Sequence, residues 1–225
     1  MCNRDQKLPA GFWSRLHMGY PGFIAVDFTH PNAVNANAVM YLDHNVSFVM
    51  GTTGGDREAL THLYDGAEFG SCAVIAPNMA KQVVLFQEMM RFAANNFPGG
   101  FNGYILEVVE SHQQGKADTS GTAKDVVKQF NMLGIPFEPS QIVMVREPEQ
   151  QKAMGIPPEA LSGHGWHTYT VKSAGGSVLF QFTHNINGRG IYAEGTRDAI
   201  LFLGERLKHG CRGQVFTMAN VLMGH

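Results

Sequence analysis

Phe23-Ile24-Ala25-Val26-Asp27-Phe28-Thr29 is the stretch on which the fold turns. It is a short apolar run ending in Asp and Thr, the pattern of a buried strand. His30-Pro31-Asn32-Ala33-Val34 follows at once, and Pro31 suits the first turn of a helix that runs to about Asp43. A second strand, Val46-Ser47-Phe48-Val49-Met50, ends in Gly51-Thr52-Thr53-Gly54-Gly55, and a helix is predicted from Asp56 to about Tyr64. A third strand, Ser71-Cys72-Ala73-Val74-Ile75-Ala76, ends at Pro77-Asn78. This strand–helix alternation predicts a parallel sheet of the nucleotide-binding kind.

Farther along, the texture changes. A long helix is predicted over residues 80–95, and beyond Phe97-Pro98-Gly99-Gly100 the strands become longer and alternate in polarity. They are read at 103–111, 141–146, 165–171 and 177–184, with Ala174-Gly175-Gly176 as a hairpin signal. Helices are expected near 196–209 and 218–223. Residues 1–22 read as short, mixed in charge and irregular. The fold class is therefore α/β: an incomplete Rossmann-like parallel-sheet domain plus a second α+β domain with a mixed sheet. The partition is 1–78, rejoined by 189–225, for the first domain and 79–188 for the second.

Composition narrows the function. The 225 residues suffice for one large domain or two small ones, and 44% hydrophobic content supports a real core. A net charge of −2 and a pI near 6.5 argue against nucleic acid as a partner. No run reaches the roughly 18–20 apolar residues of a membrane span. Cys2, Cys72 and Cys211 have no metal or redox spacing, and their odd number argues against a disulfide framework. The ten histidines are scattered, with no acidic or Cys partner at ligand spacing, so no metal site is expected. The N-terminus reads as neither a secretory signal nor a convincing transit peptide.

The chemistry concentrates in Glu110-Ser111-His112-Gln113-Gln114-Gly115-Lys116-Ala117-Asp118-Thr119-Ser120-Gly121-Thr122-Ala123. A buried strand, Tyr104-Ile105-Leu106-Glu107-Val108-Val109-Glu110, precedes it, and a helix opening at Ala123 follows, with Val126, Val127 and Phe130 on one face. Backbone N–H groups and the positive end of the helix dipole at 120–122 favour an anion. A titratable His, a Lys and an anion-ready helix start suit a substrate that carries carboxylates. Ser120-Gly121-Thr122-Ala123-Lys124 lacks the two glycines and the Gly-Lys-Ser/Thr order of a Walker loop.

This stretch resembles the signature of the dihydrodipicolinate reductase (4-hydroxy-tetrahydrodipicolinate reductase) family, in its plant-type form. Gln113 stands where the common bacterial form has a second His, and Thr119 runs into Ser120 without its Pro. The resemblance covers the chain from about Val26 onward. It implies reduction of 4-hydroxy-tetrahydrodipicolinate to tetrahydrodipicolinate by NADPH or NADH, in lysine biosynthesis through diaminopimelate. His112 would be the general acid, with a pKa near neutrality, and Lys116 would pair with a substrate carboxylate and stabilise charge on the ring nitrogen. Ser120, Gly121 and Thr122 would cradle the other carboxylate, and Arg189, in His184-Asn185-Ile186-Asn187-Gly188-Arg189, is a further candidate substrate contact. Phe28 and Thr29, then Gly51, Thr52, Thr53 and Gly54, then Ala76, Pro77 and Asn78, would face the cofactor. The resemblance further implies assembly through the second domain into a tetramer or dimer, and a chloroplast stromal setting with the cytoplasm as the alternative.

One departure stands out. No Gly-rich dinucleotide loop precedes Val26, because Gly11, Gly19 and Gly22 have the wrong spacing and no strand ahead of them. A second reading is therefore carried: a non-catalytic, reductase-like protein that serves assembly of the chloroplast NAD(P)H dehydrogenase complex. The third, a gene-model fragment without function, is also open.

Overall fold

A computed structural model describes residues 9–64 and 70–224. Its first element is α1 (Phe12–Gly19), inside the stretch expected to be irregular. The helix is held by aromatic packing: Trp13 stacks on Phe23 at 6.4 Å and meets the edge of Tyr41 at 6.1 Å. The contacts that form it are distant in sequence, so local pattern did not show it.

The strand–helix alternation then unfolds as read. The strand β1 (Ile24–Asp27), helix α2 (Val34–Asp43), strand β2 (Ser47–Met50), helix α3 (Arg57–Thr61) and strand β3 (Ala73–Ile75) follow one another. All pairings among the three strands are parallel. The central strand β2 is buried on both faces, as its unbroken apolar run requires. Val34, Ala38, Tyr41 and Leu42 of α2 pack over Phe48 and Met50.

The second sheet has the order β5-β4-β6-β7. The long helix α4 (Lys81–Asn96) leads to β4 (Tyr104–His112), helix α5 (Gly121–Met132), strand β5 (Val143–Val145), helix α6 (Pro148–Ala153) and the hairpin β6 (His164–Ser173)–β7 (Leu179–Asn187). Strand β4 runs parallel to β5 and antiparallel to β6, so the sheet is mixed. One face carries Leu106, Val108, Tyr169 and Val171 against Val126, Val127 and Phe130 of α5 and Met90 and Ala94 of α4. The opposite face leaves Ile105, Val143 and Leu179 more than half exposed.

The chain then enters α7 (Gly190–Lys208), which begins well before the expected start near 196. Gly195 is required there, since a Cβ would lie 1.7 Å from the Met79 carbonyl oxygen. Strand β8 (Val215–Phe216) joins β3 in parallel and completes the first sheet, and α8 (Met218–Met223) follows, capped by Thr217. A two-residue strand has no periodicity to detect, and its pairing with β3 exists only in three dimensions. The contacts divide into two compact units, one formed by the described residues up to Met79 and from Glu194 onward, the other by Ala80–Ala193.

Candidate active site

Strand β4 delivers three consecutive functional side chains to its carboxyl end. Glu110 and His112 point to the helix-covered face and Ser111 to the other, as a pleated strand dictates. Glu110 is fully buried and accepts from Arg146 Nη2 at 2.5 Å and from the Ser120 N–H at 2.9 Å. Arg146 also donates to the carbonyls of Lys116 and Asp118, at 2.8 and 3.4 Å. One buried ion pair thus fastens the loop 113–119 to both the strand and the start of α5. Sequence reading placed Arg146 only at a strand end; its role follows from lying next to β4 through β5.

His112 is held at both ring nitrogens. Nδ1 lies 3.0 Å from the carbonyl oxygen of His164, so it carries the hydrogen and donates. In the neutral ring Nε2 is then the lone pair, and it accepts from His167 Nε2 at 2.9 Å. His167 Nδ1 in turn accepts from the Tyr169 hydroxyl at 3.1 Å. The backbone carbonyl of His112 accepts from Gln151 at 2.7 Å. Gly165, opposite His112 on β6, makes room for the ring, because a Cβ there would lie 3.1 Å from its Cε1. His164 donates through Nδ1 to the Ala160 carbonyl at 3.1 Å, and its Nε2 accepts from the Ser111 hydroxyl at 2.8 Å.

The electrostatics correct the expected near-neutral pKa. Burial pushes the His112 imidazolium down to about 4; the Glu110 charge works against this, while Arg146 and Lys116 add to it. Burial lowers His184 to about 4 and His167 further still. His112 is therefore neutral at pH 7 until a negative charge arrives. Lys116 pairs with Asp118 at 2.8 Å, and Asp118 is mostly exposed, so the contact is easily exchanged for another carboxylate.

The helix start is also less open than its sequence suggests. The Ser120 N–H is spent on Glu110 and the Thr122 N–H on the Ser120 hydroxyl at 3.2 Å. Gly121 sits between them with open space where a Cβ would be. Arg189 is exposed just beyond β7, and its charge reaches Tyr192. Glu110, His112 and His167 bring donor atoms within 4.8 Å of one another, a cluster invisible in linear spacing. Both Glu110 oxygens are engaged by Arg146 and Ser120, and the ring nitrogens of His112 and His167 are engaged with each other, the His164 carbonyl and the Tyr169 hydroxyl.

The candidate cofactor residues lie at the carboxyl ends of β1, β2 and β3. Asp27 organises them from beneath: it accepts from the Thr29 N–H and hydroxyl, at 3.0 and 2.8 Å, from Asn37 at 2.8 Å and from Thr52 at 3.2 Å. Burial would raise its pKa, but the bonds from Thr29, Asn37 and Tyr41 outweigh that and hold it below the ordinary carboxylate range. Gly51 packs under the Phe28 ring so closely that a Cβ would lie 2.2 Å from it, yet Phe28 is 53% exposed. An exposed aromatic face beside a glycine-rich strand end fits one half of a pyridine nucleotide. Gly54 has φ 99° beside Pro31, a conformation suited to glycine. Ala76 is tied to the end of β2 by its N–H to the Met50 carbonyl at 2.9 Å. Among the described residues, no strand precedes β1.

The fold agrees with what comparison finds. The family description "Dihydrodipicolinate reductase, C-terminus" matches residues 82–222, and "Dihydrodipicolinate reductase, N-terminus" matches residues 20–79. The chain belongs to the dihydrodipicolinate reductase family. It is 48% identical over 205 residues to a protein of Arabidopsis thaliana named "4-hydroxy-tetrahydrodipicolinate reductase 2, chloroplastic", a match covering 90% of this chain and 58% of the relative. A Burkholderia multivorans protein named "4-hydroxy-tetrahydrodipicolinate reductase" is 30% identical, over 80% of this chain and 68% of its own length. The chain thus spans a little under three fifths of the Arabidopsis protein. A solved structure described as "Dipicolinate bound Dihydrodipicolinate reductase from Paenisporosarcina sp. TG-14" shares the fold, with a TM-score of 0.58, 22% identity and coverage of 94% of this chain and 80% of that one.

Proposed function

We propose that the chain catalyses reduction of 4-hydroxy-tetrahydrodipicolinate to tetrahydrodipicolinate, with loss of water, in lysine biosynthesis. The observation that carries this is the loop 110–122, where a buried Glu110–Arg146 pair fixes the Lys116 and Ser120 backbone beside His112 at one carboxyl strand end. When bound, NADPH or NADH supplies the hydride.

The chain's own residues do the rest. Lys116 leaves Asp118 for a substrate carboxylate, a change of partner at small cost because Asp118 is solvated. The second carboxylate fits the open space at Gly121. Two substrate carboxylates oppose the burial that holds His112 near pH 4, so the ring takes up its proton as the dianion binds. Both ring nitrogens are engaged inside the protein, so proton delivery requires the contact to His167 or to the His164 carbonyl to open. Phe28, Thr29, residues 51–54 and residues 76–78 are assigned to the nucleotide. Arg189 is assigned to the substrate. The plant relatives' names, which print "chloroplastic", support a chloroplast setting, and the stroma is our reading within it.

The test is NADPH and NADH oxidation by the purified chain, with substrate generated in place by dihydrodipicolinate synthase. His112→Gln is expected to lose about 10²–10⁴-fold in kcat while remaining folded. A folded chain without turnover, beside an active family member, refutes the reading and moves it to the non-catalytic assembly role.

A further inference from the structure

Cys72 and Cys211 stand 139 positions apart in the chain, yet their sulfurs lie 3.0 Å from each other. Cys72 directly precedes β3, and Cys211 lies between α7 and β8. The two backbones are laced together on either side of the sulfurs. The Gly213 N–H donates to the Ser71 carbonyl at 2.9 Å, the Ala73 N–H to the Gln214 carbonyl at 2.9 Å, and Arg212 to the Gly70 carbonyl at 2.9 Å. Nothing about this juxtaposition depends on the proposed activity.

We propose that Cys72 and Cys211 form a redox-modification site, in which a small-molecule disulfide converts the two thiols into an intramolecular disulfide that staples β3 to the segment entering β8. The sulfurs need to close by only roughly 1 Å to reach bonding distance, and the flanking hydrogen bonds already hold both backbones in place. The two thiols have unequal parts. Cys211 is half-buried and open to a small oxidant, whereas Cys72 is fully buried and its thiol is pushed up to about 12, chiefly by burial. Cys211 as thiolate attacks one sulfur of oxidised glutathione, forming a mixed disulfide and releasing one glutathione thiolate. The Cys72 thiol then gives its proton to the released glutathione thiolate and attacks the Cys211 sulfur, displacing the second glutathione as a thiolate that is protonated from solvent. Two protein thiols are oxidised by two electrons in all, and one glutathione disulfide is reduced to two thiols. Dithiothreitol reverses both steps.

The same segment forms part of a cavity of 480 Å³ lined by His17, Asn45, Ser47, Gly70, Lys208 and Arg212, among others. The staple would fix the Gly70 and Arg212 walls of that cavity against each other.

The experiment uses the full chain in a Cys2→Ser background, so that this pair holds the only thiols. The folded protein is incubated with oxidised glutathione, quenched with N-ethylmaleimide, and examined by intact mass and peptide mapping. The expected result is loss of two hydrogens, no alkylation, and one cross-linked peptide pair containing Cys72 and Cys211. A Tm rise of roughly 5 to 10 °C should accompany it and vanish with dithiothreitol. Cys211→Ser should show neither change. Two alkylated thiols, a glutathione adduct that persists on Cys211, a cross-link that forms only in urea, or a cross-link without a Tm rise would each overturn the proposal.

Discussion

His112, His167 and His184 are three imidazoles crowded on one face of the second sheet, with the His167 and His184 rings 4.6 Å apart. Unfolded, each titrates near 6.5. Folded, burial keeps His112 and His184 neutral down to about 4 and His167 lower. Between those values the unfolded chain holds more protons than the native one, so stability is full above about pH 6.5 and falls as the pH drops toward 4. Urea midpoints measured at pH 7 and pH 5 should show this fall, with these three rings together taking up close to about three protons on unfolding and His164, also lowered by burial, adding to it. His184 has both ring nitrogens buried without a partner among the described residues, beside Phe86 and Tyr169. His184→Phe should therefore flatten the dependence by about one proton; an unchanged slope would remove His184 from the account. Gly165 offers a second check at this scale. Gly165→Ala presses on the His112 ring, so kcat should fall with little loss of Tm if the ring's seat matters for turnover.

Strand β4 and helix α5 are joined by a buried charge, and that makes their register rigid. Glu110 receives the first N–H of the turn that opens α5 and the guanidinium at the end of β5. Arg146→Met would leave a carboxylate with no exposure and no cation, at a cost of about 3–5 kcal/mol. Denaturant unfolding measures that cost. Loss of less than about 1 kcal/mol would mean that water reaches Glu110. The strand and the helix themselves were legible from the alternation of Leu106, Val108 and Glu110 and from the helical spacing of Val126, Val127 and Phe130. Arg146 was not, because its partner lies 36 residues away.

At the level of the whole molecule, the open face of the mixed sheet exposes Ile105 at 55%, Val143 at 56% and Leu179 at 58%. These apolar residues, set among polar ones such as the Glu107–Lys172 pair, make this face the candidate surface for the homo-oligomer that the family resemblance implies. Leu179→Lys with Val143→Lys should lower the mass measured by light scattering to that of a smaller species while circular dichroism stays unchanged. An unchanged mass would exclude this face as the interface.

Local residue pattern was enough for the longer strands and helices and for their order, though not for α1, α6 or β8. Apolar runs bounded by Gly, Pro and Asn define the parallel strands, and alternating runs define the mixed sheet, because burial on two faces or one dictates those patterns. It also marked the loop that holds His112, Lys116 and Ser120, since a strand end followed by a capped helix is local chemistry. The tertiary structure alone decided what those residues are. It made His112 a neutral, doubly held imidazole, spent two N–H groups of the helix start inside the protein, and turned α1 into a helix. It also set Cys72 against Cys211. Each of these depends on burial or on partners remote in the chain, and neither leaves a periodic trace in sequence.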